Sequence, residues 1–472
     1  MNSASHQSPG APVPLGAPDA EELRAHVAGP VLLPGEEGFE EELAGFELSV
    51  AHRPALVVGA TGAADVIAAV RFAAERGLGV AVQATGHGIS RPATGVFIGT
   101  RRMTGVRVDP QARTARIEAG VRWEQVIHEA AVHGLAPLNG SAPFVGAVSY
   151  SLGGGLGLLS RKYGFATDHI TSFDLVTADG RLLEVTPEQH PDLFWGVRGS
   201  KGNLGIVTSL EVRLFPVSRV YGGGLFFDAE STPAALKTWL AWAPRMPEEM
   251  ASSVFLAEYP DADGLPGPLR GRFVTHIRLA YLGEPEEAER HFAELRAAGT
   301  VVMDTVASLP YTRAGEIHND PPAPVASYSK TFMLRQLDEK AADLILELAG
   351  PGSNAVHGVE LRHLGGALSR PPRVPSAVGH FPDAVFNAYI ASLIEPETIE
   401  SVDRAQQGFV DALRPWTTPG VCLNFLAGHN TSVEVARGAF TPENYTRLQG
   451  LKALHDPGNV FRFNPNIPPL PA

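Results

Sequence analysis

Two glycine-rich turns constrain the fold of this chain more than any other feature. The first is Gln83-Ala84-Thr85-Gly86-His87-Gly88, and the second runs from Asn139 to Gly146 and continues into Gly153-Gly154-Gly155-Leu156-Gly157. Glycine has no Cβ, so the backbone at such turns approaches a ligand closely, and successive backbone N–H groups cradle phosphate. The two turns therefore predict a site where backbone wraps a large anionic ligand.

Composition excludes several classes of function. The 472 residues are enough for two or three domains, and 44% hydrophobic with 19% charged residues is typical of a globular protein. The formal net charge of −13 leaves no basic surplus for binding nucleic acid. The single cysteine, Cys422, forms no intrachain disulfide, which fits a reducing, cytoplasmic compartment. No apolar run is long enough for a membrane span or a secretion signal.

The order of local patterns predicts an α+β fold. A strand at 55–58, a helix at 63–76 and a strand at 80–82 open the chain as a β-α-β unit. A hairpin turns at Asp179-Gly180. After about Pro216, strands such as 273–281 alternate with helices such as 285–298, which indicates a second domain of antiparallel sheet covered by helices. Residues 1–18, rich in Ser, Pro, Gly and Ala, predict a flexible tail.

A dinucleotide-binding fingerprint is the competing interpretation of the N-terminal unit. Val57-Val58-Gly59-Ala60-Thr61-Gly62 follows a strand and precedes a helix, as that fingerprint requires. The glycine spacing is wrong, however, and Val82-Gln83 stands where an acidic residue would end the next strand. The sequence therefore disfavours a Rossmann domain.

An ordered series of motifs carries a family resemblance from Arg53 to Ile467. The series comprises Gly86-His87, Gly153 to Gly157, Ser160-Arg161-Lys162-Tyr163-Gly164, Asp192 to Gly199, Gly202 to Thr208, Leu423-Asn424-Phe425 and Asp456 to Arg462. In these motifs the chain resembles the berberine bridge enzyme-like oxidases, which share a PCMH-type FAD-binding fold with vanillyl alcohol oxidase. The resemblance implies an FAD domain at 19–215, an inserted substrate domain at 216–425, and a C-terminal segment at 426–472 that returns to the FAD domain.

The resemblance also implies which residues hold FAD. His87 aligns with the histidine that is covalently linked to the flavin in that family. The other implied cofactor residues are Ala84, Thr85, Gly86, Gly88, Ser141, Ala142, Val145, Gly146, Gly153, Gly154, Gly155, Gly157, Gly205, Ile206, Val207, Asn424 and Asn464. Ala142 stands where many members carry a second, cysteinyl link, so this chain resembles the singly linked branch.

The catalytic positions depart from the family pattern. Asn387 aligns with the glutamate base of the plant founder enzyme, and Cys422 stands where many members have a tyrosine. An amide is not a base and a thiol needs a lowered pKa to act as one. A shift of one or two residues in the alignment would put Tyr389 at the glutamate position instead, and Tyr328 lies in a segment that borders substrate in relatives. The base therefore lies elsewhere, or the substrate needs none.

The leading hypothesis is an FAD oxidase that transfers hydride from a small organic molecule, such as a natural-product intermediate, to flavin N5, with reoxidation by O2. The alternatives are flavin-dependent oxygenation, rearrangement or cyclisation of a biosynthetic intermediate, and a flavoprotein that sequesters a small metabolite. We expect a monomer or homodimer, with no metal. Substrate identity stays open.

Overall fold

The first part of the chain forms a small sheet backed by helices. The computed structural model describes residues 15–353, 356–429 and 431–471. Within them, a four-stranded sheet has the order β1-β2-β4-β3, with β2, β4 and β3 parallel. Its elements are α1 (Ala17–Arg24), β1 (Val31–Leu32), α2 (Phe39–Leu43), β2 (Leu56–Gly59), α3 (Ala63–Glu75), β3 (Val80–Gln83) and β4 (Val96–Gly99). The predicted β-α-β opening is confirmed.

The apolar spacing of α3 explains how this unit packs. Val66, Ala69, Val70 and Ala73 are all fully buried, and their i, i+3, i+4, i+7 spacing puts them on one helix face. The start of the chain differs from the sequence prediction. The helix α1 begins at Ala17, inside the predicted flexible tail, while residues 1–14 of that tail lie outside the described residues.

A second sheet completes the N-terminal half. In the described part of the chain its five strands are all antiparallel and have the order β5-β6-β9-β7-β8. The predicted Asp-Gly hairpin joins β7 to β8, with Gly180 at a left-handed φ of 73°. The elements are β5 (Val106–Asp109), β6 (Thr114–Glu118), α4 (Trp123–Ala131), α5 (Ala147–Leu152), α6 (Ser160–Tyr163), β7 (Ile170–Val176), β8 (Leu182–Val185), α7 (Pro191–Val197) and β9 (Ile206–Arg213).

The middle of the chain forms a large antiparallel sheet. Among the described residues it has nine strands, in the order β13-β10-β12-β11-β16-β17-β15-β18, with β14 also paired to β10. The elements are β10 (Arg219–Phe227), α8 (Thr232–Trp242), β11 (Met250–Glu258), β12 (Phe273–Tyr281), α9 (Pro285–Arg296), β13 (Val301–Asp304), β14 (Ala307–Pro310), β15 (Ser327–Leu334), α10 (Glu339–Ala349), β16 (Gly358–His363), β17 (Phe386–Leu393), α11 (Ile399–Ala412) and β18 (Thr417–Thr418).

The two faces of this sheet have different partners because side chains alternate along each strand. Val254, Leu361 and Ala388 point to one face, where they share a hydrophobic core with Trp239 and Phe409 of the covering helices. Their neighbours in sequence, such as Glu360 and Tyr389, point to the other face. That second face is turned toward the N-terminal half.

The C-terminal segment returns to the N-terminal half through buried backbone contacts. It contains α12 (Val433–Arg437) and α13 (Pro442–His455). The backbone N–H of Val80 donates to the carbonyl of Val460 at 2.8 Å, and the Asn203 side chain bonds to both Pro465 and Ile467. The boundaries 19–215, 216–425 and 426–472 stay a prediction. In the described ranges, no helix is long and apolar enough to cross a membrane, and no cluster of side chains suits a metal ion.

Candidate functional site

A cavity of about 280 Å³ lies where the two glycine-rich turns meet the large sheet and the C-terminal segment. Nine of the predicted cofactor residues line it: Ala84, Gly86, His87, Gly88, Ser141, Ala142, Val145, Asn424 and Asn464. Half of the predicted cofactor residues therefore lie in the wall of one cavity.

The first glycine-rich turn is packed too tightly for any side chain at Gly86. Its φ is +74°, and a Cβ there would lie 2.7 Å from the Cα of Gly45. Glycine alone suits such a position. Thr85 joins the two turns, because its hydroxyl oxygen accepts a hydrogen bond from the backbone N–H of Gly146 at 3.2 Å.

His87 presents an unused ring nitrogen to the cavity. Its Nδ1 lies 2.9 Å from the Thr85 hydroxyl, and its ring stacks on Phe46 with centroids 3.9 Å apart. Within the described residues, the buried Nε2 has no hydrogen-bond partner. Burial, with the charge of Arg122 contributing, lowers the pKa of His87 to about 4. The imidazole is therefore neutral at physiological pH, and a free nitrogen is available to a bound group.

The glycines that follow the second turn hold the loop rather than line the cavity. Gly155 has a φ of +82°, and its backbone N–H donates to Asn424 Oδ1 at 2.7 Å. Asn424 Nδ2 donates in turn to the carbonyl of Tyr150 at 2.9 Å. The predicted cofactor residues outside the lining are Thr85, Gly146, Gly153, Gly154, Gly155, Gly157, Gly205, Ile206 and Val207. Ile206 and Val207 are buried in the hydrophobic cores of the N-terminal half, which removes their side chains from the site.

Several lining residues escaped the sequence analysis. Lys201 is the clearest case: its φ is +51°, and its Nζ donates to the carbonyls of Leu423 at 3.2 Å and Leu426 at 2.9 Å. Burial lowers its pKa to about 8. A lysine inside the glycine-rich Gly199-Ser200-Lys201-Gly202 was the available signal. Tyr150, Arg362, Phe425, Phe461 and Phe463 also line the cavity.

The residues present fit FAD. Three buried polar atoms, His87 Nε2, Tyr150 Oη and Asn464 Oδ1, have no partner among the described residues, and all three residues line this one cavity. Buried polar groups in folded proteins are normally bonded, so orphans gathered around a cavity indicate a ligand. Glycine-rich backbone and apolar aromatic walls match a cofactor with a pyrophosphate and a flat ring.

An ionic cluster lies on the sheet face above the cavity. Register places Glu360 opposite Tyr389 and Arg362 opposite Asn387. Glu360 pairs with Arg362 at 3.0 Å and with Arg278 at 3.0 Å. Although burial alone would raise it, the pKa of Glu360 lies well below its usual range because Arg362, His318 and Arg278 surround the carboxylate. Glu360 is therefore ionised throughout the physiological range.

His318 reaches the same cluster from a separate segment. Tyr311–Ile317 forms a 3₁₀ turn packed on the N-terminal half, where Tyr311 Oη lies 2.8 Å from Asn139 Oδ1. The Nε2 of His318 lies 3.5 Å from Glu360 Oε1, and its Nδ1 has no partner in the described part of the chain. Burial, with the charges of Arg278 and Arg362, lowers the pKa of His318. The ring is neutral.

Asp320 follows at the outer end of this segment. The intervening Asn319 has a left-handed φ of 52°, which is uncommon outside glycine. Burial lowers the pKa of His87 and opposes the raised pKa of Arg362, and the charge of Asp320 acts against burial at both residues.

The four predicted catalytic residues do not share one environment. Tyr389 is partly exposed on the cavity-facing side, with its ring centroid 5.3 Å from that of Phe425, and burial raises its pKa. Asn387 is on the same face but 1% exposed, and its Oδ1 accepts from Thr331 Oγ1 at 3.1 Å. None of the four lines the large cavity, and Tyr389 comes nearest because its ring contacts Phe425, which does.

Cys422 and Tyr328 are unsuited to the roles that the sequence predicted. Cys422 packs in an apolar cluster with Phe165 and Met333, and burial raises the pKa of its thiol to about 11, which excludes a thiolate base at neutral pH. Tyr328 lies on the helix-covered face, where its hydroxyl donates to Asp403 at 2.6 Å. The strand β15 turns this residue away from the cavity.

Two protein families match the chain. Residues 54–186 match the FAD binding domain family, and residues 429–468 match the berberine and berberine-like family. The chain is 31% identical over 464 residues to (R)-6-hydroxynicotine oxidase of Paenarthrobacter nicotinovorans, covering 94% of this chain and 97% of that protein.

Solved structures share the same fold. A crystal structure of 6-hydroxy-D-nicotine oxidase from Arthrobacter nicotinovorans superposes with a TM-score of 0.79 at 26% identity, covering 93% of this chain and 98% of that one. The xylooligosaccharide oxidase of Myceliophthora thermophila, solved with xylobiose, superposes with a TM-score of 0.81 at 22% identity, covering 97% of this chain and all of that one (100%). At that identity the second likeness concerns the fold alone.

Proposed function

This chain belongs to the berberine bridge enzyme-like FAD-linked oxidoreductases, and on that premise we propose that it is an oxidase of a small organic molecule with O2 as the electron acceptor. FAD is the cofactor of the family. The proposal concerns how this chain holds the cofactor, which of its residues face the substrate, and what kind of molecule that substrate is.

His87 is proposed as a single covalent attachment point for the flavin. The observation that carries this proposal is its buried, unpartnered Nε2 in the cavity wall, counted among the residues described. The low pKa, about 4, keeps the imidazole neutral and nucleophilic. Ala142 also lines the cavity and has no reactive side chain, so it supports one link rather than two.

Bound FAD supplies the acceptor for a hydride from a substrate C–H bond, and O2 then takes up the electrons. Tyr389 and Phe425 offer an aromatic wall on the substrate side, next to the charged Glu360 and Arg362. An apolar wall beside charged groups suits a substrate with both an aromatic ring and polar substituents. The proposed substrate of this kind is a natural-product intermediate.

His318 is proposed as the proton acceptor in place of the missing glutamate and tyrosine. Its Nε2 lies 3.5 Å from both Glu360 Oε1 and Arg362 Nη2, and the proposal gives the Nε2 proton to the carboxylate, which leaves a lone pair on Nδ1. The lowered pKa keeps this lone pair free at neutral pH. Glu360 fixes the tautomer, and the substrate hydroxyl or amine would give its proton to Nδ1.

Covalent flavin is tested on a denaturing gel, with intact mass measured alongside. We expect fluorescence in the protein band and a mass increase of one FAD, both lost in His87→Ala. His52→Ala is the matched control, because His52 lines the same cavity but has both ring nitrogens within hydrogen-bond distance, of Gln83 at 3.3 Å and of the Ala93 N–H at 3.0 Å. Fluorescence that survives His87→Ala would place the link elsewhere, and a colourless band with free FAD would leave the cofactor noncovalent.

Oxidase activity is tested by hydrogen peroxide release in air. Relatives are named for 6-hydroxynicotine and for carbohydrates, so the panel contains both classes together with phenolic and amine intermediates. Oxidation without incorporation of labelled oxygen supports the proposal. Labelled oxygen in the product would favour oxygenation instead, and tight binding of a panel compound without turnover in air would favour a sequestering role.

A further inference from the structure

Arg362 is buried between the cofactor cavity and the rest of the ionic cluster around Glu360. Arg362 lines the large cavity together with Tyr150, Leu156, Asn424 and Phe425. It also lines a smaller neighbouring cavity of about 20 Å³, which reaches Arg278 and His318. Arg278, which pairs with the same Glu360, lines the smaller cavity and not the larger one. Of the two guanidinium groups that pair with Glu360, that of Arg362 therefore faces the cofactor cavity and that of Arg278 does not.

Contacts on several sides fix the Arg362 guanidinium. Its Nη2 donates to Glu360 Oε2 at 3.0 Å and Oε1 at 3.2 Å, and its Nη1 donates to the carbonyl of Leu156 at 3.4 Å. Its Cζ lies 5.2 Å from the centroid of the Phe425 ring. The buried Nε has no partner within the described ranges. Folding thus holds a cation at this wall and leaves one donor unused.

Contacts through Lys201 place Arg362 at the same end of the cavity as His87. A Cβ at Gly88, the residue after His87, would lie 3.1 Å from Lys201 Nζ. That ammonium donates to the carbonyls of Leu423 and Leu426, which flank Phe425, and the Arg362 guanidinium lies over the Phe425 ring. Phe463, another lining residue, packs with the Val57 and Phe97 core of the first sheet. If His87 marks where the flavin ring is attached, as proposed above, Arg362 belongs to the ring end of the site.

The charges around Arg362 leave a positive surplus at this wall. Glu360 is the carboxylate in direct contact, and it is shared with Arg278. Asp320 acts from the partly exposed outer segment and, among the described residues, makes no ion pair with Arg362 within 4.0 Å. His318 is held neutral, and Tyr150 faces Arg362 as an uncharged phenol because burial raises its pKa. Lys201 adds a second cation to the cavity wall.

We propose that Arg362 is the fixed cation that stabilises negative charge on the flavin ring and so makes the reduced form of the cofactor more favourable. A charge near the ring nitrogens tunes a flavin's electronics, and it acts strongly where water is excluded. This inference rests on the proposed ring-end location of His87. The stabilisation of reduced flavin would then come from one charged side chain, because Ala142 is unable to form the second covalent link that many members have.

Sulfite tests the proposal without any knowledge of the substrate. Its sulfur lone pair forms a bond to flavin N5, so the ring gains two electrons and a negative charge, and no group leaves. We expect Arg362→Met to weaken sulfite binding about tenfold or more, which is about 1.4 kcal/mol, and to lower the midpoint potential of the flavin. Arg362→Lys should restore part of both, because it restores the charge but not the fork of donors.

Arg278→Met is the matched control, because it removes a guanidinium from the same carboxylate without touching the larger cavity. We expect its sulfite affinity to stay within about twofold of the wild type. Arg362→Met with wild-type affinity and potential would overturn the proposal, as would an equal loss in Arg278→Met. If Arg362→Met does not fold, Arg362→Gln retains a polar N–H donor while removing the charge and gives the same comparison. Failure of the His87 link shows separately, as a wild-type gel band without fluorescence.

Discussion

Two buried ionic clusters in this molecule differ in whether all of their polar atoms are hydrogen-bonded. In the C-terminal segment, Lys452 and Asp456 are both 0% exposed. The Lys452 ammonium donates three hydrogen bonds, to Asp456 Oδ2 at 2.6 Å, to the carbonyl of Asn203 at 2.7 Å and to the carbonyl of Phe461 at 2.9 Å. On the sheet face, the cluster around Glu360 leaves His318 Nδ1 and Arg362 Nε without partners among the residues described.

The comparison separates structure from function. Burying an ion costs several kcal/mol unless partners replace its water. Lys452–Asp456 is fully bonded and ties α13 to the loop around Asn203, so its role is to hold the C-terminal segment on the FAD-binding half. The Glu360 cluster leaves one donor, Arg362 Nε, and one acceptor, His318 Nδ1, without partners beside two cavities, where a ligand is able to bond them.

The largest expected effect comes from breaking the fully bonded pair. Asp456→Asn would leave a buried ammonium without its counter-ion, and we expect a loss of about 3–5 kcal/mol in unfolding free energy. Thermal unfolding of the flavin-loaded protein measures this loss. Asp411→Asn is the control, because the exposed Arg414–Asp411 pair is worth at most about 1 kcal/mol. Equal melting temperatures for the two variants would show that the buried, fully bonded pair contributes no more to stability than the exposed pair.

Glu360→Gln tests the other side of the comparison. The amide still accepts hydrogen bonds, and the cavities give the two guanidiniums access to water, so we expect a smaller loss of about 1–3 kcal/mol. Removing the negative charge beside Arg362 should tighten sulfite binding to the flavin. Asp456→Asn should not change that binding. A Glu360→Gln variant that melts as low as Asp456→Asn with unchanged sulfite affinity would make the cluster purely structural.

Lowering the pH gives a further test of the role of Glu360 in its cluster. The folded-state pKa of Glu360 lies well below the ordinary 4.5, so its ionised form stabilises the folded protein. That contribution is complete above about pH 4.5 and is lost as the pH falls toward the folded-state pKa. Melting temperature measured from pH 6 to pH 3 should therefore fall less steeply in Glu360→Gln than in the wild type. Parallel curves would contradict the depressed pKa.

The sequence predicted the parts of the molecule that depend on local chemistry. The family, the α+β fold class and FAD as the cofactor are confirmed, and the strand β12 has the predicted bounds 273–281. His87 stands in the cavity wall as expected. A glycine-rich sequence indicates the geometry of its own turn, because only glycine suits a positive φ where a neighbouring backbone segment lies in contact.

The parts that failed depend on which face of a strand meets which neighbour. Tyr328 was misplaced because strand β15 was not identified, and without the strand the alternation of its faces is unknown. Arg362 lines the cofactor cavity because distant segments pack together there, which no local sequence pattern reports. Lys201 was hidden by its glycine neighbours, although its ammonium bonds residues more than 200 positions away.

The smallest effect on stability is expected from Tyr389→Phe, which probes the functional cluster without touching its charges. The hydroxyl bonds with Ser329 and the ring packs on Phe425, so the variant keeps the packing and loses one hydrogen bond, at a cost of about 0.5–1.5 kcal/mol. Because the phenol is neutral, the pH dependence of oxidation should keep its acid limb, while the KM for an active panel compound should rise. His318→Asn should instead lower kcat and remove the acid limb, since it deletes the proton acceptor. A Tyr389→Phe variant that loses the acid limb while His318→Asn retains it would exchange the two roles and place the proton acceptor on the sheet rather than on the segment that follows Tyr311.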